Sequence, residues 1–229
     1  VSPDGAVRET VYDAEGRATL TTRYAAAANT AGLGQVIDEG NFRSTQVQPS
    51  ASDRHTAMAY DHDGRMTHQV QGFTLSGGTG TGGYLTEFTH DAAGRTQRMT
   101  TYAVAAGASY VLTDAGISGQ AAAVADATRD RSEHYYYDAA GRERFHIDAT
   151  GYLRERLYDA SGNLLAEHRY SDTLGAGTIA GLGTTADVQA VVGNASGAGD
   201  QSDTYDYDAA SRLSGMTDAE NHSEAYQLD

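Results

Sequence analysis

The chain has 229 residues and carries 31 acidic against 16 basic side chains, a formal net charge of −15. This excess of acid argues against nucleic acid as a partner, since cationic neutralisation of phosphates dominates that affinity; the absence of cysteine excludes disulfides and thiolate metal sites, and no apolar run approaches the length of a membrane span. Leu, Ile, Val and Phe supply only 33 residues, a composition at which disorder competes with folding, so order has to be argued from pattern.

That pattern begins near the N-terminus. Ser2-Pro3-Asp4-Gly5 reads as a turn, and 6–12 and 17–24 read as the two strands of a first hairpin around Asp13-Ala14-Glu15-Gly16. The stretch 25–52 shows no strand alternation; Ala25 to Ala28 has helical composition, but Gly32, Gly34, Gly40 and Pro49 break any long helix. A second hairpin is predicted over 56–60 and 65–75, a flexible glycine-rich loop over 76–83, and a third hairpin over 84–90 and 95–104. Within 103–130, Ser118 is the expected N-cap of an Ala-rich helix; within 171–203, Thr184 or Thr185 caps a second helix that stops at Gly193. Between these excursions, 132–170 alternates turns and strands at close spacing: Asp138 to Gly141, Asp148 to Gly151 and Asp159 to Gly162.

One hexad underlies all of this. Tyr-Asp-x-x-Gly-Arg starts at Tyr12, Tyr60, His90, Tyr137, Tyr158 and Tyr207, six copies with His for Tyr at 90, Asn for Arg at 163 and Ser for Gly at 211. Its residues are Tyr12, Asp13, Gly16 and Arg17; Tyr60, Asp61, Gly64 and Arg65; Asp91, Gly94 and Arg95; Tyr137, Asp138, Gly141 and Arg142; Tyr158, Asp159 and Gly162; Tyr207, Asp208 and Arg212. Asp favours the first position of a type I turn, where its carboxylate bonds nearby backbone N–H groups, and Gly tolerates the positive φ that closes the turn. A looser turn lies seven residues before a hexad, at Gly151 before Tyr158, Gly5 before Tyr12 and Asn221 before Leu228, so Leu228-Asp229 stands where another Tyr-Asp would fall. The chain reads as one continuous repeat domain over 1–229, an excerpt of a longer array. The fold class expected is all-β: a repetitive antiparallel meander of β-hairpins with short helical or loop insertions. Hexad intervals of 48, 47 and 49 residues place these insertions between alternate hexads, with Ala and Gly contents that leave them little to bury and make them the most mobile parts.

Alternation along 142–147 and 152–158 gives no clean apolar side: Glu143 falls with Phe145 and Ile147, and Glu155 with Leu153 and Leu157. Mixed faces predict a single-layer sheet wetted on both sides and held by aromatic stacking and Arg-Glu pairs across strands.

The hexads resemble the YD repeats of the rearrangement-hotspot (RHS) family, which includes bacterial polymorphic toxins, the B and C components of insecticidal toxin complexes, and animal teneurins. The likeness runs in patches from about Val7 to the C-terminus. It implies a curved, spiralling sheet that closes into a hollow shell, in the toxins around a C-terminal effector, and a secreted or cell-surface location in bacteria. The family's toxins carry an autoproteolytic aspartate site in a segment containing Asp-Pro; Pro3 and Pro49 do not follow Asp, so no catalytic residue carries over. The hexad tyrosines and glycines carry over as stacked strand-end aromatics and turn residues.

The remaining motifs favour plain structural roles. Gly78-Thr79-Gly80-Thr81-Gly82-Gly83 satisfies a dinucleotide fingerprint in form but precedes a strand, and Asp61-His62-Asp63-Gly64 lacks the later ligands of a calcium loop. The eight histidines show no zinc spacing, and all basic residues are Arg, which removes lysine-dependent chemistry. No cofactor, metal or catalytic constellation is expected, and the expected class is not an enzyme. Two functions fit: a wall segment of a shell or scaffold that encloses or displays an effector, its partners being neighbouring repeats and the cargo; or an adhesive surface on which exposed Tyr, Asp and Arg bind glycans or other cell-surface partners.

Overall fold

The computed structural model describes residues 6–28, 47–107 and 109–227; the turn expected at 2–5, part of the first excursion and Leu228-Asp229 lie outside them. The described chain is an antiparallel meander with helical excursions, as the hexads imply. It divides into two compact units, residues 1–94 with 99–130 and residues 95–98 with 131–229.

In the first unit, strands β1 (Arg8–Tyr12), β2 (Ala18–Arg23), β3 (Arg54–Tyr60), β4 (Met66–Ser76) and β6 (Tyr84–His90) lie side by side in that order. The glycine-rich segment is not a loop. Its Thr79–Thr81 forms β5, which pairs with the end of β4 and with the short β8 (Tyr110–Val111). Gly80 permits this because a Cβ there would stand 2.9 Å from the Tyr110 ring. The run therefore closes a hairpin and opens no helix. Strand β7 (Thr96–Thr101) is divided between the units, and the second unit continues through β9 (Arg131–Tyr137), β10 (Glu143–Ile147), β11 (Tyr152–Tyr158), β12 (Leu164–Thr173), β13 (Gln201–Tyr207), β14 (Leu213–Thr217) and β15 (Ser223–Ala225), each beside the next.

The excursions supply the helices. Helix α1 (Asp114–Val124) is capped by Thr113, whose side chain accepts from the Gly116 N–H, five residues earlier than the expected cap at Ser118. Helix α2 (Ala176–Ile179) is a single turn, and α3 (Thr185–Ala195) starts from Thr184 with a reciprocal capping box to Asp187. That helix runs through Gly193 and ends at Ala195, because tertiary packing of Ala195 outweighs the glycine's poor propensity. Ala25–Ala28 is not helical.

Each unit buries one face of its strands, which overturns the expectation of a sheet wetted on both sides. Ala57, Val70 and Leu85 stand in register on neighbouring strands and pack with Phe73, Tyr102 and Tyr110 beneath Ile117 and Ala121 of α1. In the second unit Tyr136, Phe145, Ile147 and Leu153 pack beneath Val188 and Ala195 of α3. The insertions thus do bury apolar surface, Ile117 and Val188 completely. Parity misassigned Glu143 because register shifts by one residue between Glu143 and Phe145; Glu155, in register with Phe145, does stay on the buried side, where it pairs with Arg144 at 2.7 Å and accepts the Tyr170 phenol. The bulge beside this turn sends Glu143 to the face opposite Phe145.

Candidate functional site

No catalytic constellation organises the described residues; what recurs is the hexad, and its geometry is the same at copy after copy. The Asp13 N–H donates to the Arg17 carbonyl at 3.0 Å and the Gly16 N–H returns to the Asp13 carbonyl at 3.1 Å, with equivalent pairs at Asp61, Asp138, Asp159 and Asp208. One carboxylate oxygen accepts the backbone N–H groups two and four residues on, and the other accepts the Arg Nε: at Asp61 these distances are 3.0, 2.9 and 2.7 Å, at Asp138 2.9, 2.9 and 2.7 Å. The glycines take positive φ, between 78° at Gly16 and 95° at Gly162, with Gly64, Gly94, Gly141 and Gly151 in between. This is a type I turn closed by a left-handed residue and a bulge, a reversal that matches strand twist. The backbone N–H of Arg65 at Asp61 and of Arg212 at Asp208, with the guanidinium bonds beside them, holds these carboxyls below the ordinary range. Asp148 and Asp218 build the same turn with Thr150 and His222 as side-chain donors, and Asn221 takes the left-handed position at φ 63°.

Successive hexads interlock. The guanidinium of one lies over the tyrosine ring of the next: Arg17 over Tyr60 at 4.9 Å, Arg95 over Tyr137 at 4.4 Å and Arg142 over Tyr158 at 4.6 Å. Each of these phenols donates to the carbonyl of the residue after that Arg, at Ala18 (2.9 Å), Thr96 (2.8 Å) and Glu143 (3.1 Å). The same guanidinium roofs the next turn's glycine. A Cβ on Gly64 or Gly141 would stand 3.4 Å from the preceding Arg Nη1, and Arg142 Nη1 also donates to the Asp159 carbonyl at 3.0 Å. Arg is thus shared between two turns: its Nε ties its own Asp while its plane and Nη1 hold the neighbour. Sequence alone places Tyr and Arg together within a hexad; the pairing that forms joins different hexads, 16 to 43 residues apart for the tyrosine and Arg just named.

The degenerate copies follow from this sharing. Asn163 replaces the Arg of the fifth hexad; it still satisfies Asp159, through backbone N and Nδ2 both at 2.8 Å, but its side chain is too short to roof the next turn. There Ser211 replaces Gly, holds φ at 58°, and takes a 3.2 Å bond from Asn163 Nδ2. The sixth turn keeps the same hydrogen bonds as the others, so the Ser is accommodated by strain and not by another turn type.

The face away from the helices differs between units. In the second, Glu143, Arg156, Glu167, Arg169 and Asp203 form a continuous row across β10 to β13, with successive contacts of 2.9, 3.0, 3.0 and 2.6 Å. In the first, the corresponding direction carries Thr10, Thr21, Thr56, Gln71 and Tyr84, a neutral row in register. Among the described residues one group has the spacing of metal ligands: Asp218, Glu220 and His222, with ligand atoms within 4.8 Å of one another. Both Asp218 oxygens are already engaged by its turn, which is reason enough for the cluster.

No family model matches the chain, and no curated protein does. Solved structures do. A chain of the crystal structure of TcdB2-TccC3-Cdc42 superposes with a TM-score of 0.55 at 10% identity, over 94% of this chain and 8% of its own length. TcdB2-TccC3 aligns over 100% of this chain and 11% of its own at 14% identity (TM-score 0.37), and a Tc holotoxin pore of Photorhabdus luminescens over 98% and 14% at 12% identity (TM-score 0.22). The class is therefore that of a repetitive antiparallel hairpin sheet, and the particular fold is one found in a chain of the TcdB2-TccC3-Cdc42 structure. The chain spans less than a tenth of the first of these structures.

Proposed function

We propose that this chain is a YD-repeat wall segment of a secreted bacterial shell or scaffold that encloses or displays a toxin or effector. The observation that carries the reading is the Arg-to-Tyr interlock, which at three of the five junctions between hexads gives one copy a donor for the next and the next an acceptor for it. Such a unit extends by adding copies, each stabilised by its neighbour, as repeat arrays are. The fold likeness to a TcdB2-TccC3-Cdc42 chain supports the reading, and so does the chain's spending its recurrent chemistry on wall-to-wall contacts. The adhesive alternative gains little, since the rings of Tyr60, Tyr137 and Tyr158 are covered by guanidinium and their hydroxyls are taken by backbone. Cargo, closure of the wall and secretion are all part of the proposal.

The test is protease protection in the full-length parent protein. A segment carried by the parent should resist digestion while this repeat region is intact, and become as labile as the free segment when Gly141→Val and Gly162→Val open adjacent hairpins. Equal digestion with and without the substitutions rules out enclosure.

A further inference from the structure

The hexads are not equivalent: the first, third and fifth differ from the second, fourth and sixth in a way that no single-hexad consensus contains. Three residues before the first, third and fifth stands a glutamate, Glu9, Glu87 or Glu155, and each accepts the phenol of a tyrosine 15 residues further on, Tyr24, Tyr102 or Tyr170. The even hexads have Ala57, His134 and Thr204 at that place. Seven residues before each even hexad stands an aspartate instead, Asp53, Asp130 or Asp200. Its carboxylate accepts the N–H of the residue just after the clasped tyrosine, from Ala25 at 2.9 Å, Ala103 at 2.9 Å and Ser171 at 2.8 Å. The same carboxylates also tie the returning chain: Ser50 N to Asp53 at 2.9 Å, Asp126 N to Asp130 at 2.7 Å, and Ser196 Oγ and Gly197 N to Asp200 at 2.6 and 2.9 Å. The tyrosine and the aspartate are the two ends of each long excursion.

We infer that the repeating unit of this protein is a pair of hairpins closed at its end by a Glu-Tyr and Asp-backbone clasp, and that the strap fastened by the third clasp opens without opening the hairpin ladder. Three observations carry this. The clasp recurs three times with its members at the same places relative to their hexads, which independent loops have no reason to share. The strap leaves and returns at one point, and at the third copy the strands on either side of it, β12 and β13, are already paired from Ala166↔Thr204 to Arg169↔Gln201, so the strap adds no rung to their ladder. What the strap does contribute is cover, since Leu174, Val188 and Ala195 lie over Phe145, Ile147 and Leu153. Closing a long flexible excursion depends only weakly on its length, so a clasp that fixes its two ends makes the content between them exchangeable. The inference does not depend on what the wall encloses. Bonds from Ser196, opposed by partial desolvation, hold the Asp200 carboxyl down at about 2, so that carboxylate is charged at neutral pH.

Hydrogen exchange on the intact chain at neutral pH, comparing it with Tyr170→Phe and with Asp200→Asn, tests the inference. Each substitution removes clasp bonds and no apolar contact. The expected result is exchange about tenfold faster in 176–179 and 185–195, with the turns at 138–142 and 159–163 unchanged within about twofold. Equal loss of protection across strap and turns, or a variant that fails to fold, makes clasp and sheet one cooperative unit and overturns the inference; no loss in the strap overturns it as well. Arg156→Gln, which cuts the charged row on the other face, is the control for the opposite pattern, sheet amides loosening with the strap protected.

Discussion

The junction between the fourth and fifth hexads and that between the fifth and sixth are built on one plan, and they differ at two positions. At the first, Arg142 covers Tyr158, bonds the Asp159 carbonyl and lies over Gly162; at the second, Asn163 stops at Ser211 Oγ, and Ser211 bears a left-handed backbone at φ 58°. The two replacements touch each other, which shows that the Arg and the next Gly are one contact. Glycine is required there for its φ, and also because a guanidinium from the previous repeat occupies the space above it. Where the guanidinium is gone, a small side chain fits at the cost of strain.

The largest effect on this comparison should come from crowding the intact junction. Gly162→Val puts a β-branched residue at φ 95° beneath Arg142, for a loss of about 1 to 3 kcal/mol; Gly141→Val should lose as much and open its own hairpin first. Denaturant unfolding gives the magnitude and exchange the location. Protection lost evenly along 6–227 would refute local opening.

Next in size is Arg142→Asn, which turns the intact junction into a copy of the degenerate one. It removes the cation–π contact and the bond to Asp159 and should cost roughly 1 to 2 kcal/mol. Arg142→Lys should recover little, because a compact ammonium cannot both lie flat on the ring and bridge two turns. A full rescue by Lys would mean that charge alone matters.

The converse repair should gain stability. Ser211→Gly relieves a left-handed non-glycine residue and is expected to stabilise by about 1 kcal/mol. Asn163→Arg should help only when made together with it, and the double-mutant cycle reads the coupling directly. Additive effects of the two substitutions would separate what the structure joins.

The smallest difference concerns acid. Asp208, like Asp61, is held below its ordinary pKa, first by the backbone N–H four residues on and then by its Arg. A depressed carboxylate binds its proton less readily when folded, so its contribution is complete above the unfolded value near 4 and is lost as pH falls through the folded one. Asp208→Asn should lower stability slightly near neutrality and flatten the profile below pH 4, so that the two proteins converge at the acid end. A steeper acid limb in the variant would reverse the sign argued here.

By itself the sequence determined the turns, the strands between them and the antiparallel class, because each reversal is decided within five residues by a carboxylate, two N–H groups and one residue free to take positive φ. Asp13, Asp61, Asp138, Asp159 and Asp208 sit in their turns as the hexad implies. It also narrowed the start of α3 to Thr184 or Thr185, of which Thr184 is the cap, since a cap is equally local. Tertiary structure alone decided which side of each strand is buried. A bulge beside five of the hexad turns inverts the parity on which face assignment depends, and at Glu143 this inversion moves the carboxylate to the charged side with Arg156, while Glu155 keeps its place beside Phe145. It also decided the use of Tyr and Arg, whose partners lie in other hexads at separations set by strand register, and the clasps, whose members are 15 and about 28 residues apart and meet only because the strap comes back to where it left. Local chemistry is written in neighbouring residues; contacts across a ladder are written in the register, and the register appears only when the strands are laid side by side.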